Sequence, residues 1–168
     1  MITTERLVLK PYCDKDMDRM IELLTNEKIK ETFMIHDFKS RQEAEKMFWK
    51  LQENSLSEEH YEFGIYLENE LIGFINDVEI EGKKIELGYV IHPDFHNKGY
   101  ATEVLRAAIK DLFEKGFEEV ITGAFVSNIA SCRVMEKCGM VRIDKEEDIE
   151  YHGKVHHCIY YAIKKNRK

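Results

Sequence analysis

A chain of 168 residues, 43% hydrophobic with only two prolines, is long enough for one well-buried core and too short for two ordinary linked domains, so residues 1–168 are expected to form a single domain. The formal net charge of -7 argues against a general nucleic-acid binder, which needs clustered Lys and Arg, and suits a cationic partner better. Met1-Ile2-Thr3-Thr4-Glu5 lacks a signal-peptide core, no stretch is apolar for long enough to span a bilayer, and the four cysteines show no short paired spacing, so a cytoplasmic address with no membrane partner is expected.

Arg6-Leu7-Val8-Leu9-Lys10 reads as a first strand stopped by Pro11, and Asp14 is placed to cap a helix carrying Met17, Met20, Ile21 and Leu24 on one face. Residues 26–38 read as a short helix plus a loop. Ser40-Arg41-Gln42-Glu43 has capping-box spacing, and Ala44, Met47, Phe48 and Leu51 recur behind it at helical intervals. Residues 61–68 alternate aromatic and β-branched side chains, Asn69-Glu70 turns the chain and residues 71–80 return, which predicts an antiparallel hairpin.

After a turn at Glu81-Gly82-Lys83, residues 85–91 form a fourth strand ended by Pro93. The following helix carries Ala101, Val104, Leu105, Ala108 and Leu112 on one stripe and stops at Gly116. Residues 119–126 read as a strand, 128–137 as a short helix ended by Gly139, and 140–149 with 155–163 as a closing hairpin around His152-Gly153. The acidic run Asp144-Lys145-Glu146-Glu147-Asp148 reads as a solvated face. His152, His156, His157 and Cys158 suggest a metal set, but adjacent histidines on a strand point to opposite faces, so no metal is expected.

The loop after the fourth strand has the chemistry of an anion site. A helix N-terminus leaves backbone N–H groups without intrahelical partners. In His96-Asn97-Lys98-Gly99-Tyr100-Ala101-Thr102, Gly99 and Ala101 let the main chain approach a pyrophosphate, Lys98 adds positive charge, Thr102 adds a hydroxyl, and Tyr100 must point away. Asp94 opposes an anion at close range and is expected to face solvent. Taken alone, Asn97-Lys98-Gly99 is also an ordinary turn into a helix.

His96-Asn97-Lys98-Gly99-Tyr100-Ala101 resembles the motif of the GNAT N-acetyltransferase superfamily: Gln or Arg, two residues, Gly, one residue, then Gly or Ala. His96 departs from the usual first residue, which leaves the backbone amides as the contact. The run from Gly99 to Glu103 resembles the RimJ/RimL-like branch of ribosomal-protein alanine N-acetyltransferases. Thr4-Glu5-Arg6-Leu7-Val8-Leu9, and Asn128-Ile129-Ala130-Ser131 through Gly139-Met140, extend the likeness over nearly the whole chain. The resemblance implies an α/β (α+β) fold, with a mixed, mostly antiparallel sheet of about seven strands splayed between strands 4 and 5 and flanked by about four helices. It also implies acetyl-CoA as co-substrate, its pantetheine arm along Gly88 to Ile91, with Tyr89, Val90 and Ile91 as contacts, its pyrophosphate on the His96 to Thr102 loop, and Asn128 reaching the arm.

Acetyl transfer to an amine needs a neutral nitrogen, a polarised thioester carbonyl and a proton for the departing thiolate. The family often places a tyrosine seven residues after the asparagine, but counted from Asn128 that position is Met135, which cannot donate. Ser131, on the same helical face as Met135, stands where the resemblance assigns a serine to the thiolate, and it reads equally as a helix-capping hydroxyl. Glu86 shares a strand face with Gly88 and Val90 and is the candidate base, direct or through water, or an ordinary salt-bridged glutamate. The backbone N–H of Val90 or Ile91 is the candidate oxyanion donor. Phe33, Phe38, Trp49 and Tyr61 read as amine-pocket or core aromatics.

The expected function is acetyl-CoA-dependent transfer of an acetyl group to a primary amine, a protein or peptide N-terminus first and a small-molecule amine second, directly in a ternary complex. Cys132 and Cys138 keep a covalent route formally open. The missing tyrosine and the atypical His96 support an alternative, a non-catalytic acyl-CoA-binding or interaction module. A homodimer stays open.

Overall fold

The computed structural model describes residues 1–166. Its first difference from the sequence reading lies at Thr4, whose N–H donates to the Leu7 carbonyl at 2.9 Å while its hydroxyl accepts the Leu7 N–H at 3.0 Å. That turn folds β1 (Ile2–Thr3) back onto β2 (Val8–Lys10), with Ile2 opposite Leu9, and makes eight strands where seven were expected. The remaining elements are α1 (Met17–Thr25), α2 (Glu27–Lys30), α3 (Arg41–Leu56), β3 (Glu62–Leu67), β4 (Glu70–Glu81), β5 (Lys84–Ile91), α4 (Tyr100–Glu114), β6 (Glu119–Phe125), α5 (Ile129–Lys137), β7 (Val141–Tyr151) and β8 (Lys154–Lys164). The sheet order is β1-β2-β3-β4-β5-β6-β8-β7, mostly antiparallel with β5 and β6 parallel. Among the described residues no helix is long and apolar enough to cross a membrane.

One compact unit comprises residues 1–76 and 89–100. Asp16, rather than the expected Asp14, serves the entrance to α1: its carboxylate accepts the Cys13 N–H at 2.8 Å across a 3-10 turn, while Asp14 accepts from Gln52. Ser40 accepts the Glu43 N–H at 3.3 Å and so starts α3 as the spacing predicts, but Glu43 reaches back to Lys39 rather than to Ser40. The β3–β4 turn is Glu68-Asn69, one residue earlier than read, and both residues have positive φ (48° and 69°), as a tight hairpin requires. Met20, Leu23 and Leu24 of α1 and Phe48 of α3 pack with Tyr66, Leu71, Phe74 and Val90 into one apolar cluster.

The second unit comprises residues 77–88 and the chain from 101 onward. Here β5 pairs with β6 in parallel from Lys84↔Glu119 to Leu87↔Thr122; these are the fourth and fifth strands of the sequence reading, between which the resemblance puts the splay. β8 pairs with β6 and with β7, and β7 carries an irregularity between Arg142 and Glu146. Val104, Leu105, Ala108 and Leu112 of α4 are buried, and Ile121, Phe125, Cys158, Tyr160 and Ala162 form a separate cluster. Gly116 and Gly139, past the ends of α4 and α5, have φ of 105° and 84°, the left-handed conformation their helix stops need.

Candidate active site

The loop between β5 and α4 is pinned by two histidines. His92 is buried; its N–H donates to the Ile72 carbonyl at 2.7 Å and its Nδ1 accepts the Asp94 N–H at 3.1 Å. The ring proton therefore sits on Nε2, which donates to Glu22 Oε1 at 2.8 Å, and this bond is the chief reason the Glu22 carboxyl lies below its ordinary pKa. Asp94 itself faces solvent, as its charge demanded. His96 Nε2 lies 2.7 Å from the Ile91 carbonyl oxygen; a carbonyl only accepts, so Nε2 is the donor. The His96 side chain thus closes the loop onto the strand end.

Beyond His96 the chain takes left-handed conformations at Asn97 (φ 62°) and Gly99 (φ 80°), and Tyr100 opens α4. Arg6 braces this turn. Its Nη1 donates to the Lys98 carbonyl at 2.8 Å, its guanidinium lies 4.4 Å from the centroid of the Tyr100 ring, and a Cβ on Gly99 would come within 3.3 Å of Nη2. Tyr100 therefore turns aside under Arg6, and the first-turn N–H groups of a fifteen-residue helix open at a loop that carries glycine, Lys98 and an arginine. Such a cradle fits a pyrophosphate. Sequence reading placed Arg6 in a strand, which begins only at Val8, and in the family-like stretch from Thr4 to Leu9; nothing local signals a partner 92 residues away.

At the end of β5, Val90 and Ile91 are buried, and β4 approaches them closely: a Cβ on Gly73 would lie 2.0 Å from the Val90 carbonyl oxygen. Only glycine permits that spacing. Tyr89 precedes them on the same strand.

In the second unit, Glu86 is mostly buried and 3.6 Å from Lys145 Nζ. Burial raises its carboxyl above the ordinary value; Lys145 opposes this, and the charges of Glu79 and Glu147 add to it. Lys145 also covers the Tyr160 ring at 4.3 Å, and the Tyr160 hydroxyl donates to Glu147. Glu86 is thus both a perturbed carboxylate and a salt-bridged one. Asn128 accepts the Ser131 N–H at 3.2 Å and caps α5, with Ser131 in the first turn and Met135 fully buried. Ala101 and Thr102 lie in the first turn of α4, and the Thr102 carbonyl accepts from the Cys138 thiol at 3.6 Å. Burial pushes Cys138 up to about 11 and also raises Cys132. On the closing hairpin, His156 stacks on Phe125 at 4.3 Å and His157 pairs with Asp148 at 2.9 Å.

The first unit also holds a cavity of about 190 Å³ whose lining includes Phe33, Phe38, Met47, Glu62, Phe74 and Asn76. Two of the four aromatics read as amine-pocket or core residues, Phe33 and Phe38, line it. Trp49 and Tyr61 do not line it: Trp49 is half exposed and edge-on to Phe48, and Tyr61 packs against Phe63. Glu62 escaped sequence reading because it sits within an aromatic strand; a charge inside that run was the available signal.

Residues 6–141 match the family described as "Acetyltransferase (GNAT) domain". The N-acetyltransferase YnaD of Bacillus subtilis (strain 168) is 31% identical over 145 residues, covering 84% of this chain and 82% of YnaD. The structure of a GNAT-family acetyltransferase from Bacillus anthracis is similar with a TM-score of 0.83 and 28% identity, covering 97% of each chain. RimL, a ribosomal L7/L12 alpha-N-protein acetyltransferase solved in complex with coenzyme A, shares the fold with a TM-score of 0.81 at 21% identity, over 96% of this chain and 95% of RimL.

Proposed function

Given that the chain belongs to the GNAT acetyltransferases and is an acetyl-CoA-dependent N-acetyltransferase, we propose that it is a single RimJ/RimL-like domain acting directly on a primary amine in a ternary complex. A protein or peptide N-terminus is the first acceptor class and a small-molecule amine the second. The observation that carries the reading is the Arg6-braced turn from His96 to Tyr100 at the start of α4.

Acetyl-CoA supplies an activated acyl group as a thioester. The backbone N–H groups of Asn97, Lys98, Gly99, Tyr100, Ala101 and Thr102 hold its pyrophosphate; His96, expected among them, shapes the loop instead, because its ring donates to the Ile91 carbonyl and its own N–H donates to the Pro93 carbonyl at 3.1 Å. Tyr89, Val90 and Ile91 offer strand N–H and C=O groups to the pantetheine arm, and a Val90 or Ile91 N–H polarises the acyl carbonyl. Asn128 holds the N-terminus of α5 in place for the arm. Glu86, directly or through water, takes the proton the amine must lose, and the Ser131 hydroxyl serves the departing sulfur. No side chain is needed as nucleophile, in keeping with the raised pKa values of Cys132 and Cys138.

The test is release of free CoA, with mass-spectrometric detection of acetylated product, across peptides, polyamines, aminoglycosides and amino acids. Tight acetyl-CoA binding with no release on any acceptor would replace this reading with the non-catalytic acyl-CoA-binding module.

A further inference from the structure

Where β3 and β4 pair, Glu62 lies opposite Asn76 and Gly64 opposite Phe74. Side chains two apart on a strand share a face, so Glu62 and Asn76 belong to the face on which Phe74 packs with Leu24, Phe48 and Val90. A carboxylate is costly there: Glu62 is only 4% exposed, and burying a charge among apolar groups is unfavourable unless hydrogen bonds or an opposite charge compensate. Tyr12, also buried, supplies part of the compensation, its hydroxyl donating to Glu62 Oε2 at 2.5 Å. Burial and the Glu62 charge push the Tyr12 phenol well above its ordinary value, which keeps Tyr12 the donor and Glu62 the acceptor. An ionised carboxylate accepts about four hydrogen bonds, so this contact is compatible with a cationic ligand at the same group.

The cavity against this pair has the complementary chemistry. Phe33, Phe38, Met47 and Phe74 present aromatic faces and a thioether, which take an apolar group and attract a cation. Glu62 and Asn76 line it with them, as does His36, whose ring lies edge-on to Phe38 at 4.7 Å. The side chain of Val90, whose backbone N–H is the proposed carbonyl-polarising group, belongs to the same cluster as Phe74. A cavity of about 190 Å³ has room for a short side group.

We infer that this cavity is the acceptor subsite and that it takes a primary ammonium carried on a short apolar or aromatic group, the ammonium against Glu62 and Asn76 and the apolar group against Phe33, Phe38 and Met47. Glu62 is the specificity-determining residue, held by Tyr12. The assignment rests on the N-acetyltransferase reading for its role, but binding tests it separately from turnover.

Binding of phenethylamine and of its neutral isostere, phenethyl alcohol, to the CoA-loaded full chain is measured by calorimetry. The amine binds at least about tenfold tighter than the alcohol, and Glu62→Gln brings the two within about twofold while CoA affinity is kept. Equal affinities in the wild type, no amine binding, or a preference that survives Glu62→Gln overturns the assignment. Should Glu62→Gln fail to fold, Met47→Trp fills the cavity from α3: lost amine binding with CoA affinity kept supports the subsite, and retained binding overturns it. Amine binding without CoA release on any acceptor sinks the transferase reading and keeps the ammonium subsite. CoA release with other amines and none bound here sinks the subsite alone.

Discussion

Arg6 holds the carbonyl oxygen of Lys98 at 2.8 Å, a contact that ties the start of the chain to the turn before α4. The same guanidinium covers the Tyr100 ring, so one side chain fixes both the height of the loop and the direction in which its aromatic residue leaves the helix end. Arg6→Ala is expected to weaken acetyl-CoA binding by about fivefold, the size of an exposed charge-assisted bond plus a cation–π contact. Arg6→Lys should recover little, because an ammonium cannot serve carbonyl and ring together. Calorimetric titration with acetyl-CoA decides; affinities unchanged in both variants would remove Arg6 from the cradle.

His96→Gln should keep acetyl-CoA affinity within about threefold of wild type, since a carboxamide can donate to the Ile91 carbonyl as the imidazole does. His96→Ala leaves that carbonyl without its donor and should bind less well than His96→Gln. The reverse order would mean that the imidazole itself meets the ligand.

Gly73→Ala inserts a methyl group 2.0 Å from the Val90 carbonyl oxygen, a distance no packing adjustment of side chains relieves, because both sides are backbone. The expected loss is about 2 kcal/mol or more in urea unfolding. Because the displaced backbone is that of Val90, kcat should fall further than the loss of folded protein explains. Stability unchanged by the substitution would contradict the close approach.

Cys132→Ser and Cys138→Ser should each retain kcat within about twofold. With its pKa near 11, Cys138 is thiolate to only about one part in a thousand at pH 8. Intact mass after incubation with acetyl-CoA alone should show no acetyl adduct. An adduct lost in either variant would establish a covalent route.

Glu86 titrates in the opposite sense from a stabilising surface carboxylate. Its folded pKa lies above the ordinary 4.5, so from pH 4.5 upward the folded state binds more protons than the unfolded one, and stability from this group declines until the folded pKa is passed. Glu86→Gln should flatten that decline in a pH series of urea melts. If Glu86 is also the base, kcat falls by about a hundredfold in the same variant. A fall smaller than about threefold would leave it as the partner of Lys145 alone.

Periodicity located the longer helices and the long strands because burial repeats leave local traces: the α4 stripe and the Gly116 stop were legible as they stand. What periodicity could not reveal depends on side chains meeting across the sequence or on turns too short to repeat. The Thr4–Leu7 turn that creates β1, the substitution of Asp16 for Asp14 at α1, and the position of the Glu68-Asn69 turn belong to the second kind. The turn into α4 and Asn128 as the cap of α5 were legible from spacing and residue type, and the solvent-facing Asp94 from its charge. Arg6, His92, Gly73 and Glu62 were not, since each acquires its role from a neighbour brought near by folding.

The sheet ends on one side at β7. The register of this strand slips between Arg142 and Glu146, and Asp144, Glu146, Glu147 and Asp148 stand exposed along it. An edge that is both kinked and negatively charged is a poor template for a strand from another molecule, because a second copy must bring its own acids alongside and finds the backbone groups out of step. Charge crowded onto β7 thus guards against fibrous self-association, and replacing those acids with Val or Thr would be expected to promote aggregation through this edge.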